Sequence, residues 1–347
     1  MGNWDLLGQS QLSSILEHSF NQGRVSHAYL LVGPPQVGKR ATAIKIAQAL
    51  NCDSNNKPCG SCTPCNRIES GIHPDIQIIA PTTDEETGIQ HIVVSIKQIR
   101  EMERISYLAP YEGNYRVFII DSVNSIAEPA ANALLKTLEE PPPNVVFLLL
   151  ATNEATVLPT IISRCQKLEV KSLSEEDMLE LLRKSHAMEA ADAKLLAKIS
   201  NGRLGWALEA ARNPAVLGDR QKAVDTLIKV IDGDLEEKFK VSQELSSFHN
   251  RDRKKLPDTL RLWLSWWRDL LMIIEGNPDL VFNLDWGELL KKRQSFFTSR
   301  EIANHMQELI ETIEYLNQNS NPRITLDVLM LSLEGLSATR SEYAPLR

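Results

Sequence analysis

The stretch GPPQVGKR, residues 33–40, limits what this chain can fold into more than any other. Gly33, Gly38 and Lys39 keep the Gly-x4-Gly-Lys spacing of a phosphate-binding loop, where backbone N–H groups and a helix start surround an anion. Such a loop needs a buried strand before it and an amphipathic helix after it. Both are present, as AYLLVG at 28–33 and ATAIKIAQAL at 41–50. The residue after the lysine should be Ser or Thr, whose hydroxyl completes Mg²⁺ coordination, but it is Arg40, and Thr42 lies two positions too late. Lys39 can still neutralise β/γ-phosphate charge. Two readings stay open: a loop that holds ATP or ADP without Mg²⁺-dependent hydrolysis, or a strand-to-helix turn kept only for the fold.

The acidic partner of such a loop is an apolar strand ending in Asp-Glu, one acid serving Mg²⁺ and the next the attacking water. VFIIDSVNSI keeps Asp121 and places Ser122 where the second carboxylate belongs, so a second hydrolysis position is altered. Short Val/Ile/Leu-rich runs at 28–33, 76–81, 115–121 and 145–152 read as strands covered on both faces, with helices between them. AEPAANALLKTLEE is a helix stopped by Pro141, Pro142 and Pro143. This alternation predicts an α/β domain with a mostly parallel sheet of phosphate-loop type. Thr152 and Asn153 close the last of these strands, where a polar side chain can sense a phosphate. Arg164 follows in SRC and reads either as a surface residue in a salt bridge or, in a ring of nucleotide-binding subunits, as an arginine supplied to the next subunit.

Cys52, Cys59, Cys62 and Cys65 form C-x6-C-x2-C-x2-C, with Gly60 and Pro64 at the turns. Four thiolates this close can surround Zn²⁺ tetrahedrally, and a closed four-sulfur shell leaves no position for a catalytic water. Free cysteines or an inducible disulfide are the competing readings.

From Ser174 onward no strand is expected. LSEEDMLELLRKS, with a Ser174 cap and acids in its first turn, is followed by AKLLAKIS and LGWALEAAR as a small helical unit. Beyond residue 213 the chain reads as wholly helical. Leu260, Trp263, Leu264, Trp267, Leu270, Leu271 and Ile274 recur at helical spacing, either as a bundle core or as an assembly surface. The expected divisions are 1–170, 171–212 and 213–347. A net charge of −7 argues against a free-standing zinc-dependent nucleic-acid module, since a basic footprint is missing. The longest apolar stretch, VVFLLLA, is far short of the ~20 residues that span a bilayer, and MGNWDLLGQSQ lacks a signal peptide's pattern. A cytoplasmic protein with no membrane partner is expected.

HAYLLVGPPQVGK, the four cysteines, GIHPD, ANALLKTLEEPP, SRC, NGRLGWALE and NPRITLDVLMLSL together resemble the bacterial DNA polymerase III clamp-loader subunits, over nearly the whole chain. The resemblance implies an AAA+ ATPase-like domain carrying a zinc module at 52–65, a helical lid, and a helical collar that joins five subunits in an open ring. It implies partners as well: gamma/tau and delta subunits, the sliding clamp and primed DNA. An ATP-hydrolysing gamma/tau motor would carry Gly-Lys-Thr, Asp-Glu and a lid arginine where this chain has Arg40, Ser122 and Gly205; Arg203 is displaced by two. The chain also lacks the Pro-rich extension of full-length tau. The departures resemble delta-prime, a stator with little hydrolysis of its own that acts within the polymerase III holoenzyme. The resemblance then makes Arg164 an arginine finger acting in trans and the four cysteines zinc ligands, and Gly33, Gly38, Lys39, Arg40, Asp121, Thr152 and Asn153 a degenerate nucleotide pocket. The competing reading is an active gamma/tau-like ATPase with an irregular loop.

Overall fold

A computed structural model of the chain describes residues 4, 6–81, 94–126, 128–184, 188–251, 255–318 and 320–333. The first three residues, Ala127 at the head of one expected helix, and positions 334–347 of the expected last division therefore lie outside the described residues. Two compact units are present: Met1–Met188 with Asn201–Trp206, and Glu189–Ser200 with Ala207–Arg347.

The first unit runs α1 (Ser10–Asn21), β1 (Ala28–Val32), α2 (Lys39–Asn51), α3 (Thr63–Glu69), β2 (Ile76–Ile79), α4 (Ile96–Ser106), β3 (Arg116–Ile120), α5 (Glu128–Glu139), β4 (Val145–Ala151), the short α6 (Pro159–Ile162), β5 (Gln166–Glu169) and α7 (Glu175–Lys184). The five strands pair in parallel in the order β2-β3-β4-β1-β5. Alternation along each strand splits the core in two. Tyr29, Leu31, Val117, Ile119, Val146 and Leu148 point to one face, where Leu16 of α1 and Ile46 of α2 cover them. Leu30, Phe118, Ile120, Phe147 and Leu149 point to the other, under Ile99 and Met102 of α4 and Leu134 of α5. Phe118 and Phe147 stack there with centroids 5.6 Å apart. The order puts β1 between β4 and β5, so the loop leaving β1 emerges beside the ends of those two strands, with the end of β3 one strand further on. A phosphate-loop-type α/β fold results, its parallel sheet covered by helices on both faces.

Four strands fall where the apolar runs predict them, each shorter by one or two residues. The fifth, β5, is a finding of the structure. Its sequence QKLE buries only Leu168, because it lies at the edge of the sheet, so it carries none of the apolar continuity that marks its neighbours. The Ser174 cap forms as expected, with its Oγ accepting from Asp177 N at 3.0 Å.

Helices follow thereafter: α8 (Ala190–Ile199), α9 (Leu204–Arg212), α10 (Ala215–Asp232), α11 (Leu235–Arg251), α12 (Lys255–Ile274), α13 (Gly287–Arg293), α14 (Ser299–Asn317) and α15 (Pro322–Ser332). The core of the helical unit centres on α12. Trp263, Trp266 and Trp267 are fully buried with Leu260 and Leu270, among Val224 and Leu227 of α10, Ile302 and Leu309 of α14, and Leu326 and Leu329 of α15. The tryptophans are therefore core. The stripe read from spacing omits Trp266, which is buried, and includes Leu264, Leu271 and Ile274, which are only partly covered. No helix among the described residues is long and apolar enough to cross a membrane.

Candidate functional site

The phosphate loop forms where the spacing places it, between β1 and α2. Gly38 occupies the left-handed region at φ 105°, and α2 begins at the next residue, so the free N–H groups of its first turn face the loop. Gly33 has a structural reason to be glycine: a Cβ there would lie 2.0 Å from the carbonyl oxygen of Val170. Lys39 Nζ donates to the carbonyls of Gly33 and Pro34, both at 2.6 Å. Burial lowers its pKa to about 8, and the nearby Asp121 carboxylate opposes the shift. Lys39 and Asp121 thus share one electrostatic site, as a phosphate loop and its acidic strand should.

The two altered positions each adjoin one member of that pair, Arg40 following Lys39 and Ser122 following Asp121. Arg40 is exposed on the first turn of α2. The Thr42 hydroxyl is buried and donates to the Gly38 carbonyl at 3.1 Å, so it is engaged in the helix and does not face the loop. Ser122 takes the left-handed φ of 61° just past β3, with its Oγ 3.4 Å from Asp121 Oδ1. Thr152 donates its N–H to Asn124 Oδ1 at 3.4 Å, and Asn153 caps the next turn by accepting from Ala155 N at 3.0 Å. The structure brings Gly33, Gly38, Lys39 and Asp121 together, whereas Asn153 spends its side-chain oxygen on its own turn.

A contact invisible in the motif lies at the loop's tip. Gln36, at φ 60°, presents its carbonyl to Gly205 N at 2.8 Å, and a Cβ on Gly205 would stand 3.0 Å from that same oxygen. The backbone of 201–206 is itself held by Leu173 N donating to the Gly202 carbonyl. Arg203 places its guanidinium over the Trp206 ring, 5.5 Å from the centroid.

Arg164 stands just beyond α6. Its Nη1 donates to the Thr160 carbonyl at 2.9 Å and to Ser163 Oγ at 3.2 Å, and its Nη2 to Glu139 Oε1 at 2.6 Å. Its side chain is one-third exposed.

Cys52, Cys59, Cys62 and Cys65 gather with all four sulfurs within 4.8 Å of one another. The Cys52–Cys62 and Cys59–Cys65 separations are 3.9 and 4.0 Å. Zinc–sulfur bonds of ~2.3 Å in a tetrahedron require sulfur separations of roughly 3.8 Å, so the set fits a tetrahedral ion such as zinc. Backbone N–H groups already aim at the sulfurs: Cys59 N at Cys52, and Ser61 N and Cys62 N at Cys59. The last two lower the Cys59 pKa to about 6, while burial pushes Cys52 and Cys65 up.

Residues 8–174 match the family model described as DNA polymerase III, delta subunit. Over 94% of its length the chain is 28% identical to DNA polymerase III subunit delta' of Bacillus subtilis (strain 168), covering 96% of that protein. The chain is thus similar to DNA polymerase III subunits, and to a delta' subunit over nearly the whole length of both chains. It is also 28% identical to the tau subunit of Bacillus subtilis (strain 168), over 95% of this chain and 61% of that one. To the tau subunit of Escherichia coli (strain K12) it is 35% identical, over 66% of this chain and 36% of that one. The chain thus spans less than two thirds of the tau proteins it matches.

Proposed function

We propose that this chain is a delta-prime-type stator of the DNA polymerase III clamp loader, which helps load the sliding clamp on primed DNA and hydrolyses little or no ATP itself. The observation that carries the reading is the seat of Gly205: where a motor would carry a lid arginine, its backbone N–H donates to the Gln36 carbonyl of the phosphate loop at 2.8 Å, and a Cβ there would meet that oxygen at 3.0 Å, so a larger residue requires Gln36 to give by a few tenths of an ångström. Arg40 and Ser122 point the same way, because each removes a group that Mg²⁺ or the attacking water requires. Similarity to a delta' subunit over nearly the full length of both chains adds support.

In this reading Lys39, Gly33, Gly38 and Asp121 form a pocket able to hold ATP or ADP idly, flanked by Arg40, Thr152 and Asn153. The four cysteines hold structural zinc. Arg164 acts in trans, its guanidinium stabilising γ-phosphate charge in a neighbouring gamma/tau subunit. Divisions at 1–170, 171–212 and 213–347 serve as ATPase-like domain, lid and collar; gamma/tau and delta are the partners, and the compartment is the cytoplasm. The test is ATP turnover. The purified chain alone turns over no ATP with Mg²⁺, and Arg164→Ala lowers turnover at the site it faces in the reconstituted complex by on the order of 10³-fold. Unchanged turnover and clamp loading with Arg164→Ala would sink the proposal.

The retained pairing of Lys39 with Asp121 favours a second reading, an active gamma/tau-like ATPase with an irregular loop. It requires Mg²⁺-dependent turnover by the chain alone that Lys39→Ala abolishes.

A further inference from the structure

The acid that holds Arg164 is in an electrostatically awkward place. Glu139 is the last residue of α5, and Glu140 follows it, so two carboxylates stand at the negative end of a helix dipole. Cations are favoured there, and an acid is misplaced. A locally unfavourable choice asks for a reason elsewhere in the fold. The reason on hand is Arg164, 25 positions along the chain, whose Nη2 meets Glu139 Oε1 at 2.6 Å. The pair does little for stability, since the two side chains are 33% and 50% exposed and solvent screens their attraction.

What the pair does is orient. The guanidinium makes three hydrogen bonds from its five N–H groups, to Thr160 O, Ser163 Oγ and Glu139 Oε1. Thr160 and Ser163 belong to the α6 turn and Glu139 to the end of α5, so the plane of the group is fixed from two separate elements. The remaining N–H groups stay available to an incoming phosphate oxygen, and a partly exposed pair is weak enough to yield to it.

We infer that Glu139 is a positioning residue for Arg164, aligning the guanidinium for the nucleotide of the adjoining subunit before that subunit's phosphate arrives. The inference rests on the proposal that Arg164 acts in trans. Fixing such a group beforehand removes its ordering cost from the reacting step, so loss of the carboxylate lowers kcat and leaves nucleotide affinity alone.

The experiment uses the reconstituted complex and isolates the Arg164-dependent share of ATP turnover, as the difference between the complexes carrying the unaltered chain and Arg164→Ala. Glu139→Gln is expected to lower that share about tenfold in kcat with the KM for ATP unchanged. Glu139→Asp is expected to recover part of the loss. Added to Arg164→Ala, Glu139→Gln is expected to change nothing further, because the two act as one unit. Full turnover with Glu139→Gln, increased turnover, or an equal loss in the Arg164→Ala background would each overturn the inference. So would failure of both Glu139 variants to enter the complex, which would make the residue structural. If Arg164→Ala itself has no effect, the trans-acting proposal fails first, and that result is distinct from all the others.

Discussion

Asp75 is fully buried, and its carboxylate accepts from the N–H groups of Tyr111 at 2.6 Å and of Glu112 and Gly113 at 2.9 Å, and from Arg116 Nη2 at 3.2 Å. It thereby pins the turn that leads into β3, the strand that delivers Asp121 to the phosphate loop. Burial alone would raise its pKa, but the three backbone donors and Arg116 outweigh it and hold the group below its ordinary value of 3.8. With the folded-state pKa the lower of the two, the stabilisation is complete above 3.8 and is lost as pH falls through the folded value. Carboxyl ¹³C titration is expected to place the Asp75 midpoint below 3.8, and a midpoint above it would contradict the arrangement. Asp75→Ala is expected to cost about 3 kcal/mol in urea unfolding at neutral pH, because it strands Arg116 and three backbone donors at once. The GIHPD stretch that helps mark the family is thus a clamp on backbone. His73 belongs to it: its buried ring accepts from Asp75 N at 3.2 Å, and burial lowers its pKa.

Elements bring together what single residues cannot. The turn after β1 serves two partners, since Gly33 lets the Val170 carbonyl just past β5 approach and Gln36 receives the Gly205 amide, so the loop is held by contacts separate from any phosphate chemistry. The cysteine segment behaves likewise. Two of its cysteines flank the irregular stretch after α2, and two others open α3, so a metal there would tie α3 to the end of α2. Zinc measured by atomic emission is expected at one per chain in the purified protein, and Cys59→Ser is expected to lower it sharply. Chelation is expected to expose the backbone amides of 52–69 to hydrogen exchange, because ligand binding there supports local folding. A metal-free chain with an unchanged exchange pattern would argue for free thiols instead. Four strands, the phosphate loop and the Ser174 cap were all legible in sequence, each through a local signal such as apolar continuity, glycine spacing or a capping residue. β5 and the Gln36–Gly205 contact were not, because an edge strand needs little apolar surface and a backbone hydrogen bond carries no residue code.

At the scale of the whole molecule, the helical unit depends on a core built around aromatic edges. Trp267 meets Trp266 and Phe297 nearly perpendicularly, at 5.1 and 5.0 Å, and lies 4.8 Å from His305. Beside this core, buried Asp269 accepts from Phe282 N at 3.0 Å and from Asn283 N at 2.7 Å, closing the segment after α12. Trp267→Ala is expected to lower the stability of this unit by about 3–5 kcal/mol, through lost burial and a residual cavity. Calorimetry of the full chain checks it, and an unshifted transition would mean that this core is not where the unit's stability resides. From its sequence alone the protein declared a phosphate-loop α/β domain, a four-cysteine cluster, a helical second half and a kinship with clamp-loader subunits. All are written in local spacing and composition, which survive without knowledge of what lies nearby. Only the tertiary structure decided that Gly205 sits on the phosphate loop, that Glu139 holds Arg164, that Asp75 clamps the start of β3 and that all three clustered tryptophans are core. Each depends on residues far apart in the chain meeting at a few ångströms, and a linear pattern does not encode that distance.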